Sequence, residues 1–192
     1  MQKLYLKKGV SKKSAYNLRN PKDDKYEKHT LAILVDNESG VLARVIGLFS
    51  GRGYNIDSLT VAEVDHNGNL SRITIVTHGT KEVIYQIQSQ LMRIVPVHSV
   101  SNLDKEDSSV EAEVALVNMF INEKNKKDAF QICDLYRARK IENENNTVIF
   151  EIAGTSQRID TFIKDISKIT DIEIVRSGPV AISSIQKNEE EE

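Results

Sequence analysis

The chain holds one cysteine, Cys133, so no intramolecular disulfide can form. A lone thiol suits a reducing compartment. Cys133 falls on a helical pattern with Phe130 and Tyr136, where it reads as a buried apolar group rather than a nucleophile. No stretch approaches the ~20 consecutive apolar residues of a membrane span, and no apolar leader follows Met1. Strong charge is lacking too: 26 basic and 28 acidic side chains leave a net charge of −2, and the basic ones are spread along the chain. Nucleic acid and membrane are therefore excluded as partners of the folded part. The expectation is a cytoplasmic protein.

What is present divides a 192-residue chain into two small domains between polar ends. Residues 1–28 carry Lys3, Lys7, Lys8, Lys12, Lys13, Arg19 and Lys22 with no acid before Asp23, and read as a basic extension outside the core. Organellar transit peptides favour arginine and serine, whereas lysine dominates here, so import is the weaker alternative. From His29 the pattern runs strand (Leu31, Ile33, Val35), helix (Val41, Leu42, Val45, Ile46, Leu48, Phe49), strand (Tyr54 to Val64), a hairpin turn at Asn67-Gly68, and strand (Leu70 to Thr77). A second helix with Val83, Ile84, Ile87 and Leu91 on one face and a strand from about Val95 to Val100 complete a βαββαβ unit over residues 29–102.

The polar segment 103–110 is the expected linker, and over 111–186 the pattern starts again. Val114 to Phe120, Lys140 to Glu142, Val148 to Ile152 and Ile172 to Val175 read as strands; Lys126 to Tyr136 and Ile159 to Ile166 read as helices, with a turn at Asn145-Asn146. The predicted fold class is α+β: two tandem ferredoxin-like domains, each an antiparallel sheet with helices on one face. Gly79-Thr80 and Gly154-Thr155 precede the second helix of each unit, as ordinary strand-to-helix turn chemistry. Residues 187–192 form an acidic tail expected to be disordered.

The candidate site is the first strand-to-helix turn. Free N–H groups at a helix start, near Gly40 and Val41, suit a carboxylate. Asn37 before the turn and Asn55 at the start of the next strand offer amide oxygens to an ammonium and NH₂ groups to a carboxylate, so together they match both ends of a free α-amino acid. Gly40 leaves the backbone open to a ligand, and Val41, Leu42 and Ile56 offer contacts to an aliphatic side chain. The plainer alternative is that Asn37 and Ser39 cap the helix, Gly40 turns the chain and Asn55 opens a strand.

Read together, DNESGVLARVIGLFSGRGYNIDSLTVAEV at 36–64, LSRITIV at 70–76 and AGTSQRIDTFI at 153–163 resemble the small regulatory subunit family of acetolactate synthase (acetohydroxyacid synthase). The resemblance runs from about Ser14 to Ile185. It implies that residues 29–102 are an ACT domain, an amino-acid sensor that pairs side by side with a second copy. It also implies a homodimer, valine or a related branched-chain amino acid as effector, and a catalytic large subunit as partner. Effector contacts carried over are Asn37, Gly40, Val41 and Leu42 of one chain with Asn55 and Ile56 of the other. No cofactor is expected in this chain; thiamine diphosphate, magnesium and FAD are expected on the large subunit. The chain departs from the family at Ala112 and Asn118, where arginine and lysine are common, and at Ser184, where a basic residue is.

Rival chemistries find little support. His29, His66, His78 and His98 sit on separate elements without metal-ligand spacing, and read as surface or strand-end histidines. Gly47, Gly51 and Gly53 fall at the end of a helix rather than before one, so no phosphate-cradling loop is present. Asp36, Glu38, Asp57 and Glu63 make no recognisable acid/base pair. No catalytic or metal-binding residue is expected. The alternative reading is a free-standing ACT-type amino-acid-binding regulator of another partner.

Overall fold

A computed structural model of the chain describes residues 25–105, 109–144 and 146–183. Most of the expected basic extension, Asn145, Ser184 and the expected acidic tail 187–192 lie outside the described residues. The first unit runs β1 (Glu27–Asp36), α1 (Val41–Gly51), β2 (Ser58–Asp65), β3 (Leu70–Gly79), α2 (Lys81–Leu91) and β4 (Val97–Asn102). Its sheet has the order β2-β3-β1-β4, antiparallel at every pairing.

Alternation along the strands places the core. Leu31, Ile33 and Val35 of β1 and Ile73 and Ile75 of β3 point to one face, where Val41, Val45 and Phe49 of α1 and Ile84, Ile87 and Leu91 of α2 close over them. Burying each such side chain contributes about 1.5–3 kcal/mol, so this layer holds the helices against the strands that carry the first turn. Thr30 and Ala32 on the opposite face are also buried, because the second unit lies there: Ala32 packs with Leu103 and Ala181.

The second unit runs β5 (Ser109–Phe120), α3 (Lys126–Leu135), β6 (Arg139–Glu144), β7 (Thr147–Gly154), α4 (Ser156–Ile166), β8 (Ile172–Arg176) and β9 (Val180–Ser183). The order β6-β7-β5-β8 repeats that of the first unit. The repeat is extended by one strand. β8 pairs with Ala115–Met119 of the long β5, and β9 pairs with Ser109–Ala112 further along the same strand. Ser177-Gly178-Pro179 makes the break: Gly178 has φ +75° and Pro179 has no N–H to donate. Thr60 on β2 donates from its hydroxyl to Ser177 O at 3.4 Å, and Arg72 Nη1 donates to Ala181 O at 3.5 Å, so the break and β9 lie on the back of the first sheet.

Several expectations shift. The segment before the second strand stays irregular to Asp57, so β2 opens at Ser58 rather than Tyr54. The first hairpin places its positive φ on Asn69 (51°), not on Gly68, because the register slips between Glu63 and Asp65 and lengthens the loop. Between the sheets the chain forms a 3₁₀ turn, Leu103–Lys105, with Leu103 buried, and β5 already begins at Ser109, inside the expected linker. The first strand starts at Glu27, so the end of the expected extension is part of β1. Gly47 lies inside α1. Thr80 and Thr155 are the N-caps of α2 and α4, accepting from Val83 N and Arg158 N.

Candidate functional site

The turn between β1 and α1 is clamped by its backbone and left open by its side chains. Asp36 N donates to Pro96 O (2.9 Å), Asn37 N to Asn69 O (2.7 Å) and Asn69 Nδ2 to Asn37 O (3.2 Å). Neither Asn37 nor Ser39 caps α1; the cap position is Gly40, at φ 90° and ψ −9°, with nothing within 4 Å of where a Cβ would stand. The first helical hydrogen bond with good geometry is Arg44 N to Gly40 O at 3.0 Å, and Val41 N reaches Glu38 O only at 3.5 Å. The N–H groups of Leu42 and Ala43 have no protein partner among the described residues, and no acid sits in the first turn. Free donors, the positive end of the helix and the exposed amide of Asn37, which has no partner among the described residues, therefore share one small surface.

The matching loop of the second unit is tied by its own side chains. Asn122 Oδ1 accepts from Lys124 N (2.9 Å) and Asn125 N (3.1 Å), while Asn125 Oδ1 accepts from Asn122 N at 2.8 Å. Those amides tie the loop that precedes α3, and Asn125 at its cap position makes no side-chain bond to the helix.

Asn55 is placed elsewhere. It lies in the segment leading into β2, where Asp57 N donates to Val76 O, whereas Asp36 beside the turn pairs with Leu70. Six residues of β3 separate the two positions, and at about 3.4 Å per residue this is ~20 Å. Within one chain the structure therefore does not bring Asn55 and Ile56 to Asn37, Gly40 and Leu42. A further correction concerns Val41, whose side chain is only 2% exposed and belongs to the core, so its backbone N–H alone faces the turn. Leu42 is exposed, and Ile56 packs on the edge of the core.

Around Asn55 the structure adds residues that spacing did not single out for this role. Asn55 Nδ2 donates to Asp57 Oδ1 at 2.6 Å, and Asp57 Oδ2 meets His78 Nδ1 at 2.5 Å. Tyr26 stacks on His78 with ring centroids 6.0 Å apart, and Thr77 Oγ1 donates to Asn55 O at 2.6 Å. Asp57 stands only two positions from Asn55, but its partner His78 is reached through the β2–β3 register.

His66 and His98 also stand at the surface against carboxylates, Glu63 and Asp36, whereas His29 is a strand-end histidine that is buried. Among the described residues no three His, Cys, Asp or Glu side chains are grouped to hold a metal ion, and no helix is long and apolar enough to cross a membrane. Cys133 is free and buried, and its thiol is pushed up to about 12 by burial first and by Asp134 second.

Two family descriptions match and between them span both units: an acetohydroxyacid synthase small subunit-like ACT domain over residues 31–99 and the small subunit of acetolactate synthase over 112–185. The chain belongs to the acetolactate synthase small-subunit family. The acetolactate synthase isozyme 3 small subunit of Escherichia coli K12 is 42% identical over 156 residues, 80% of this chain and 93% of that one. A probable acetolactate synthase small subunit of Archaeoglobus fulgidus is 36% identical over 155 residues, 81% of this chain and 96% of its own. The crystal structure of the acetolactate synthase small subunit from Thermotoga maritima aligns with a TM-score of 0.74 at 33% identity, covering 83% of this chain and 99% of that chain.

Proposed function

We propose that this chain is the noncatalytic regulatory subunit of a cytoplasmic acetolactate synthase, activating the catalytic large subunit and carrying feedback inhibition by valine or a related branched-chain amino acid. The observation behind the effector site is the uncapped α1 N-terminus beside the exposed Asn37, with Asn55 stranded ~20 Å away at the other end of the sheet. Each half offers part of what a free amino acid needs, and neither half suffices. Two copies resolve this. β2 is an edge strand with Val61 and Val64 exposed, and antiparallel pairing of two such edges turns the Asn55 end of one sheet toward the turn end of the other. Pairing through β4, the opposite edge, would leave Asn55 on the far side of the dimer.

In this reading the carboxylate of the effector lies on the free Leu42 and Ala43 backbone donors beside Gly40, its ammonium is shared by Asn37 and the other chain's Asn55, and its side chain meets Leu42 and Ile56. Binding favours the paired arrangement that accommodates it, and a coupling of ~1–3 kcal/mol to the large subunit accounts for inhibition. The reaction served is decarboxylation of pyruvate and its condensation with pyruvate or 2-oxobutyrate. The cofactors of that reaction, thiamine diphosphate, magnesium and FAD, are assigned to the large subunit.

The test reconstitutes the holoenzyme and titrates valine. Asn55→Ala and Asn37→Ala each remove one hydrogen bond to a charged group, worth ~1.5–3 kcal/mol, so the half-inhibitory concentration should rise roughly 10- to 100-fold while activation is retained. An unchanged half-inhibitory concentration in Asn55→Ala would refute the site.

A further inference from the structure

We propose that Asp57, held by His78, is the specificity-determining residue of the effector site: it makes the site read an ammonium group and reject 2-oxo acids with the same carbon skeleton. The inference rests on the assignment of Asn55 to the effector. A carboxylate can only accept, so the 2.6 Å contact obliges Asn55 to present its NH₂ to Asp57, and the amide oxygen Oδ1 is turned away as an acceptor without a partner among the described residues. His78 Nδ1 engages the other carboxylate oxygen at 2.5 Å, and the stacked Tyr26 ring covers the imidazole. Asp57 is further tied through its backbone N–H to Val76 O at 2.8 Å. The acceptor of Asn55 is thus oriented rather than free to flip.

The chemistry of the ligand makes this orientation decisive. Valine and 2-oxoisovalerate share the carboxylate and the isopropyl group, so helix N–H donors and apolar contacts cannot separate them. They differ at Cα, where one carries an ammonium and the other a carbonyl oxygen. A fixed amide oxygen backed by a carboxylate attracts the first and repels the second. An enzyme whose substrates are 2-oxo acids needs its regulatory site to ignore them.

The experiment is calorimetric titration of the full chain with valine, leucine and isoleucine and with their 2-oxo counterparts, for wild type, Asp57→Asn, Asp57→Glu and His78→Gln, with circular dichroism confirming the fold of each. Wild type should prefer the amino acids. Asp57→Asn, which lets either face of the Asn55 amide be presented, should lose about 10-fold or more of amino-acid affinity while 2-oxo acid binding holds or improves. His78→Gln should shift the ratio the same way but less, and Asp57→Glu, which keeps the charge, should restore it in part. An unchanged ratio of amino acid to 2-oxo acid affinity in folded Asp57→Asn overturns the specificity role and leaves the effector site standing. Wild type that binds no branched-chain amino acid overturns both.

Discussion

Arg176→Met tests how the second unit is held together. The Arg176 guanidinium donates from Nε to Glu113 Oε1 at 2.6 Å and from Nη2 to Oε2 at 2.8 Å, and Ser156 Oγ donates to the same carboxylate at 2.9 Å. A third arm reaches Asp160 Oδ1 at 2.6 Å. These bonds join β5, β8 and the start of α4. The Glu113 side chain is 2% exposed, so the variant leaves a carboxylate buried without its cation, a loss of about 3–5 kcal/mol for a fully buried pair. Arg176 is itself 34% exposed and water can replace part of what it supplies, which discounts the expectation to about 3 kcal/mol. Urea denaturation followed by circular dichroism measures it as a lower midpoint at unchanged slope. Asp160→Asn, removing a partner that is 62% exposed, should cost less than about 1 kcal/mol. The pH dependence has a defined sign: Arg176 holds the Glu113 carboxyl below its ordinary value near 4.5, outweighing the burial that raises it. The pair's stabilisation is therefore full above about pH 4.5 and is lost as pH falls through the lower, folded value; Arg176→Met should flatten that acid limb. A loss under about 1 kcal/mol, or an unchanged acid limb, would refute this account of the pair.

Three further outcomes follow from particular positions. Gly178→Ala drives a Cβ into Ser58 Oγ at a φ of +75°, so thermal denaturation should show a loss of roughly 1–3 kcal/mol, partly recovered when Ser58→Ala removes the obstructing hydroxyl. Gly40→Val meets no atom within 4 Å but places a β-branched residue at φ +90°; it should cost about 1–2 kcal/mol and weaken valine binding by covering the donors of α1. Cys133, buried with its thiol pushed up to about 12, should resist an aromatic disulfide reagent at pH 8 until urea unfolds the chain; rapid labelling of the native protein would contradict its packing.

Much of this architecture is local in origin. The alternation of Leu31, Ile33 and Val35, the helical spacing of Val41, Val45 and Phe49, and the threonines at 80 and 155 each state their element within a few residues, because side-chain period and capping are short-range properties. Gly40 at the first turn was legible for the same reason: a left-handed cap without a Cβ leaves helix donors open whatever surrounds it. Other features depend on partners distant in sequence. β2 starts late and the hairpin slips because strand pairing with β3 sets the register, and Val41 turns inward because α2 and β1 enclose it. Sequence by itself determined the two units, the open turn and the amide residues suited to an amino acid. Only the tertiary structure decided that Asn37 and Asn55 lie at opposite ends of one sheet, that Asp57 and His78 orient the second of them, and that β9 crosses onto the first domain, since each of these is set by register and packing between segments that no local pattern encodes.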